Sequence, residues 1–215
     1  MSDAGFIDIS ITLAPGTPEW PGDTPFSCGW TWRIADGASV NLSAITTSPH
    51  VGTHADAPLH VRNGAAASDA LPLDVFIGEA VVLDVTMHRG ELDRAALRAA
   101  GLTRTPTRLL LKTGRSSSAG AFPEAWPALT PDCAAALVTE GLRLLGVDCP
   151  SVDLRESQSL AVHHALFDGG AYNLENLDLS IPSAGPYHLI AAPLKLGALD
   201  AAPVRAVLRP LSSVT

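Results

Sequence analysis

Cysteine is scarce in this chain and poorly placed for either of its usual structural jobs. Cys28, Cys133 and Cys149 form no close pair and no metal-type spacing, which argues against a disulfide framework or a thiolate metal site and predicts reduced, mostly buried thiols. Basic clustering is missing too. The formal charge is -8 and the arginines are scattered, so no cationic stripe is available for a phosphate backbone and nucleic acid is not an expected partner. No apolar run approaches the ~20 residues that span a bilayer. The opening Met1-Ser2-Asp3-Ala4-Gly5 carries an acid where a secretory signal carries base, so a cytoplasmic protein with no membrane partner is expected. Charged residues make up 17% and hydrophobic ones 47%, far from the balance of a disordered chain. The 215 residues are therefore expected to build one domain over 1–215 around a buried core.

What the chain does have is histidine, and it is concentrated. Of seven histidines, three fall in His50-Val51-Gly52-Thr53-His54-Ala55-Asp56-Ala57-Pro58-Leu59-His60, with one carboxylate, all at even positions. Imidazole and carboxylate are the usual nitrogen and oxygen donors to metals. A regular strand would put the even positions on one face, but at ~3.3 Å per residue His50 and His54 would start roughly 13 Å apart. A helix is opposed by Gly52 and by Pro58. The pattern predicts an extended chain folded sharply at Gly52-Thr53, where glycine lets the backbone bring His50 back towards His54 and Asp56. The bland alternative is a polar loop with incidental histidines, against which the one-face spacing of all four residues argues.

Periodicity around this stretch predicts strands over 6–13, 26–34 and 40–47, the last running straight into His50. The second carries an aromatic face of Phe26, Trp30 and Trp32, expected in the core or at a subunit contact. Between the first two strands lies an irregular loop rich in proline and glycine. Its Trp20 either covers a flat substrate or packs the loop onto the body.

Beyond Pro72 the pattern alternates. Strands are expected over 77–85, 108–112 and 144–147, with the second buried on both faces. Helices are expected over 92–100, from Thr130-Pro131 to a stop at Gly141, and from Ser157 or Ser159 to about Asp168. Strands over 187–196 and 204–208 close a mixed α/β domain whose strand order is not readable. Within this half, His163 and Glu175 are the distant pair that could complete the first cluster. Glu175 is the lone acid in an apolar run of Leu174, Leu177 and Leu179. Buried, it needs a partner or a metal; exposed at a strand edge, it needs neither.

His50-x-Gly52-Thr53-His54-x-Asp56-x-Pro58-x-His60 resembles the signature of the metal-dependent cyclase-type hydrolases, which include bacterial kynurenine formamidase and isatin hydrolase. His163-x-x-Leu166-Phe167, followed by Leu174-Glu175-Asn176-Leu177, resembles that family's second motif. The likeness to the formamidase branch runs on through Trp20-Pro21-Gly22-Asp23, the segment from Gly146 to Asp153, Ala192-Pro193-Leu194-Lys195-Leu196 and Pro203-Val204-Arg205-Ala206. Cys149 stands where Thr is expected and Phe167 where Leu is usual, and neither is a ligand position.

The resemblance implies a swivelling β/β/α fold and a pair of divalent metal ions, zinc with manganese as the alternative. His50, His54 and Asp56 would hold the first ion and His163 the second, with Asp56 and Glu175 bridging. His164 becomes a structural neighbour. A homodimer is implied, with the N-terminal aromatic region near the contact. The implied reaction is hydrolysis of N-formyl-L-kynurenine to L-kynurenine and formate, a step of tryptophan degradation. Its expected parts are a bridging hydroxide as nucleophile, His60 as the acid/base that moves the proton, and Trp20 against the aniline ring. A same-family hydrolase of a cyclic amide such as isatin, and a non-catalytic metal-stabilised module, are the competing readings.

Overall fold

The structure, a computed structural model, describes residues 5–211; the acidic opening from Met1 to Ala4 lies outside them. In chain order these residues form β1 (Ile7–Asp8), β2 (Ser27–Trp32), β3 (Leu42–Thr46), β4 (His54–Asp56), a one-turn helix α1 (Leu73–Phe76), β5 (Ile77–Asp84), α2 (Arg94–Ala99), β6 (Arg108–Lys112), α3 (Pro131–Thr139), β7 (Leu144–Val147), α4 (Ala161–Asp168), β8 (Tyr172–Leu174), β9 (Gly185–Ile190), β10 (Ala201–Pro203) and β11 (Val207–Pro210).

The most apolar strands lie inside the main sheet, whose order is β1-β11-β9-β5-β6-β7-β8. β5 to β8 run parallel, and β9, β11 and β1 extend them antiparallel. Because side chains alternate across a strand, Leu109 and Leu111 of β6 enter one core while Leu110 enters the other. The first core is closed by Leu97 of α2, Leu137 of α3 and Leu166 of α4. The second is closed by Ala55, Ala57, Val204 and Ala206, from and beside the small antiparallel β4–β10 sheet. Three layers result, β/β/α, as the family resemblance implied.

Local chemistry explains the helix ends. The Thr130 hydroxyl accepts from the Cys133 N–H at the start of α3, with Pro131 in the first turn, and Gly141 ends it at φ +106. At α4 the cap comes from far away: the Asp153 carboxylate accepts from the Val162 and His163 N–H groups at 3.0 and 3.1 Å. That is why the helix starts at Ala161 rather than near Ser157 or Ser159, with Leu160 held left-handed at φ 46.

Three expected strands come out differently. In the first run only Ile7–Asp8 pairs as a regular strand. The chain then leaves the sheet, and the Ile11 N–H donates to the Thr53 hydroxyl at 2.9 Å instead. Of the 204–208 run only Val207 and Leu208 lie in a strand, β11 beside β9; residues 204–206 connect it to β10, which ends at Pro203 in the other sheet, and the Val204 N–H donates to the Thr53 carbonyl at 2.9 Å. The strand expected over 187–196 starts earlier and ends at Ile190.

The aromatic strand is not core within the protomer. β2 and β3 pair only with each other, all their residues are exposed, and Trp30 and Trp32 are each 58% accessible. Among the described residues no helix is long and apolar enough to cross a membrane.

Candidate metal centre and active-site cavity

The site is built around a bend. Gly52 has φ +71, which favours glycine, and a Cβ there would sit 2.5 Å from the Leu13 Cδ2, so the Leu13 side chain would have to move. The chain extends again as β4, which pairs with β10 on one side. On the other side, His54 and Glu175 exchange backbone hydrogen bonds, His54 N–H to Glu175 carbonyl at 3.3 Å and the reverse at 3.0 Å. This reciprocal pair lays the histidine motif beside the segment that follows β8. The Thr53 hydroxyl, donating to the Asn176 carbonyl at 2.6 Å, fastens it there.

Five side chains converge at that junction. His50 Nδ1 lies 3.1 Å from Asp56 Oδ1 and 3.2 Å from His54 Nε2. His54 Nε2 lies 3.3 Å from Asp56 Oδ1 and 3.5 Å from Glu175 Oε2. The other oxygen of each carboxylate turns to the opposite side, where His163 Nε2 is 3.2 Å from Asp56 Oδ2 and 3.2 Å from Glu175 Oε1. Asp56 and Glu175 therefore each turn one oxygen to His163 and the other to the His50–His54 side.

The outward nitrogen of each imidazole is held by an acceptor. His54 Nδ1 donates to the Gly52 carbonyl at 2.9 Å, His163 Nδ1 to Asp153 Oδ2 at 2.6 Å and His50 Nε2 to Asp200 Oδ2 at 2.9 Å. An outward N–H leaves the inward nitrogen with its lone pair, the form in which imidazole binds a metal.

The charges of the cluster call for a cation. Asp56 and Glu175 are buried and held in place by Asn173, whose Nδ2 donates to Asp56 Oδ2 at 2.7 Å and to Glu175 Oε1 at 3.1 Å. Burial opposes the charge on Asp56, yet the facing His54 and His163 hold its pKa well below the ordinary carboxylate value. Burial also opposes protonation of His50, but the facing carboxylates of Asp200 and Asp56 raise it to about 9. His54, likewise desolvated, is raised to about 10 by Asp56 and Glu175.

One atom points to a metal as the natural counter-charge. Asp56 Oδ1 is buried without a hydrogen-bond partner, although two imidazole nitrogens stand 3.1 and 3.3 Å away. An orphaned buried acceptor is costly, whereas a cation accepting from all three atoms satisfies them together. His50, His54 and Asp56 present ligand atoms close enough to share one ion. The donor set of imidazole nitrogens and carboxylate oxygens suits zinc or manganese.

Above the cluster lies a cavity of about 300 Å³, walled by Trp20, Phe122 and Pro150 opposite His50, His60 and Glu175. Trp20 packs its loop onto the body, edge-on to Phe122 and Trp126 at 5.5 and 6.0 Å between centroids, and it lines the cavity. His60 stands at the rim on the turn Pro58–His60, its ring 4.4 Å from that of His50 and 5.8 Å from that of His163. His164 lies in a neighbouring surface cleft with Arg62 and Gln158.

Four contributors were not singled out from the sequence: Asp153, Asn173, Asp200 and Phe122. Asn173 had a usable signal, because it lies two residues before Glu175 and strand alternation puts both on one face. Asp153 closes an acid-flanked segment, Asp148 to Asp153, but nothing local ties it to His163. Asp200 and Phe122 carry no such mark.

Comparison with known proteins agrees with this geometry. The Cyclase family matches residues 7–154. A kynurenine formamidase from Salinibacter ruber is 45% identical over 94% of this chain and 96% of its own length. Among solved structures, a potential metal-dependent hydrolase with cyclase activity superposes with a TM-score of 0.81 at 27% identity, covering 94% of this chain and 96% of the other. Isatin hydrolase A from Labrenzia aggregata shares the fold, with a TM-score of 0.79 at 24% identity over 94% of this chain and 92% of the other.

Proposed function

The chain belongs to the Cyclase family, and from that premise we propose that it is a metal-dependent amidohydrolase that converts N-formyl-L-kynurenine to L-kynurenine and formate. The observation that carries this reading is the 45% identity to the Salinibacter ruber kynurenine formamidase along 94% of the chain. The cavity is consistent with it: an aromatic wall of Trp20 and Phe122 faces a buried imidazole–carboxylate cluster, which suits a small aryl amide.

We assign two divalent ions to the cluster, zinc in the first instance and manganese as the alternative. His50, His54 and Asp56 would hold one and His163 the other, with Asp56 and Glu175 shared. A divalent ion bound there supplies an acidified water and a polarised formyl carbonyl at neutral pH. The protein supplies the rest. Asp153, Gly52 and Asp200 fix the ligand imidazoles in their metal-binding form. Trp20 and Phe122 offer aromatic faces and edges for the aniline ring of the substrate. His60, at the rim, carries the proton that the aromatic amine needs in order to leave, a contribution of roughly 10²- to 10⁴-fold in such reactions.

The residues 1–215 act as one domain in this reading, in a homodimer joined through the exposed β2–β3 ribbon, and the activity serves tryptophan degradation in the cytoplasm. A two-stranded ribbon without cover is marginal alone, and its exposed Trp30, Trp32 and Ile45 form the kind of apolar surface that a partner subunit covers.

Formate release from N-formyl-L-kynurenine by metal-reconstituted protein, run beside isatin as the competing substrate, tests the proposal. Turnover of the formyl anilide and not of isatin is expected. Preference for isatin would reassign the chain to cyclic amides.

A further inference from the structure

Asp200 stands outside both recognised motifs, yet the fold delivers its carboxylate to the cluster with little freedom. Its backbone carbonyl accepts from the Ala57 N–H at 2.8 Å, and the next residue, Ala201, is the β10 partner of Asp56. The ladder that fixes a proposed metal ligand therefore also fixes Asp200. A single oxygen of that carboxylate, Oδ2, accepts from two rings, His50 Nε2 at 2.9 Å and His60 Nδ1 at 3.1 Å. Among the described residues Asp200 is the only side chain that hydrogen-bonds the His60 ring.

We infer that Asp200 is a positioning residue that works through His60: it holds the Nδ1 proton, leaves the Nε2 lone pair free for the proton that His60 moves, and sets the ring against His50. A neutral imidazole has one donor and one acceptor nitrogen, and the partner of one decides the role of the other. Without an acceptor at Nδ1, the proton distributes between both nitrogens and the ring turns freely at the rim, so a fraction of the enzyme has no base. The inference rests on the assignment of His60 to proton transfer. It adds to that assignment the residue which makes the ring competent.

The discriminating experiment combines kinetics of the metal-loaded enzyme with a measurement that needs no substrate. Asp200→Ala is expected to lower kcat by about 10- to 100-fold, the usual effect of removing a carboxylate behind a functional imidazole, with KM and the metal content at saturating ion unchanged. Asp200→Asn, which keeps an acceptor oxygen, should recover part of the loss. In a His60→Ala background at saturating ion the Asp200→Ala change should cost much less than in the parent, because residues acting through one another are not additive, and what remains reports its contact with His50.

Nitrogen-15 spectra of histidine-labelled protein should place the His60 proton on Nδ1 in the parent and on both nitrogens in Asp200→Ala. Full additivity in the double variant, a kcat loss that added metal restores in full, or an unchanged His60 tautomer would each overturn the inference. If the parent enzyme releases no formate, the substrate assignment falls while the tautomer spectra still decide the role of Asp200.

Discussion

His54 is buried with its Nδ1 fixed on the Gly52 carbonyl, whereas the His60 side chain stands 30% exposed at the rim. The same residue type in one short motif is thereby set to two tasks. His60→Ala is expected to retain its metal and lose roughly 10²- to 10⁴-fold in turnover, while His54→Ala loses metal and turnover together. Metal analysis beside formate release separates them, and metal loss from the His60 variant would contradict the division.

Protonation follows the same geometry. With no metal bound, His50 and His54 are raised from 6.5 to about 9 and about 10, so their protonated forms stabilise the fold. That stabilisation is complete below about pH 6.5, the unfolded value, and is lost as pH rises through 9 to 10. Melting temperatures of the chelated protein should therefore fall across that window, and metal binding, which displaces these protons, should tighten over it. Melting curves that are flat from pH 6.5 to 10 would show that the imidazoles are not charged partners of Asp56 and Glu175. At this scale the sequence was informative about ligand type and poor about support. His50, His54, Asp56, His163 and Glu175 announce themselves as donors, but Asp153, Asn173 and Asp200 are ordinary polar residues until the fold places them against a ring or a carboxylate.

Among the elements, the bend before β4 carries most consequence. Gly52→Ala would force a side chain into a left-handed conformation and onto Leu13, at a cost on the order of 1–3 kcal/mol. Reduced stability in urea together with weakened metal binding is the expected result, since His50 and His54 lie on opposite sides of the bend. Unchanged metal affinity would mean that the angle at residue 52 does not set the cluster. The bend itself was readable, because neither a regular strand nor a helix could bring the even positions together. The break between β10 and β11, where the chain passes from one sheet to the other at 204–206, was not. Alternation of apolar residues continues across such a crossover, and periodicity cannot report which partner lies alongside.

For the whole molecule, two measurements separate a catalytic metal from a structural one and a paired subunit from a single one. The main sheet has its own cores on both faces, so removal of the ions with chelator should leave circular dichroism nearly unchanged and abolish formate release. Unfolding on chelation would make the cluster a structural staple instead. Replacing Trp30 and Trp32 with serine should convert a dimer to a monomer in sedimentation, with little change in protomer folding, because both side chains are exposed in the protomer. A dimer that persists unaltered would place the contact elsewhere.

The sequence by itself determined the donor chemistry, the bend at Gly52, the both-faces-buried strand Arg108–Lys112 and the general alternation of strands and helices. These are local properties, written in residue type and in spacings of a few positions. The tertiary structure alone decided that His54 and Glu175 are neighbours through a reciprocal pair of backbone hydrogen bonds, that Asp153 both caps α4 and grips His163, and that Asp200 reaches two imidazoles at once. Those placements depend on which strands pair and in what register, and the free energy that selects a register is spread over the whole sheet and its two cores.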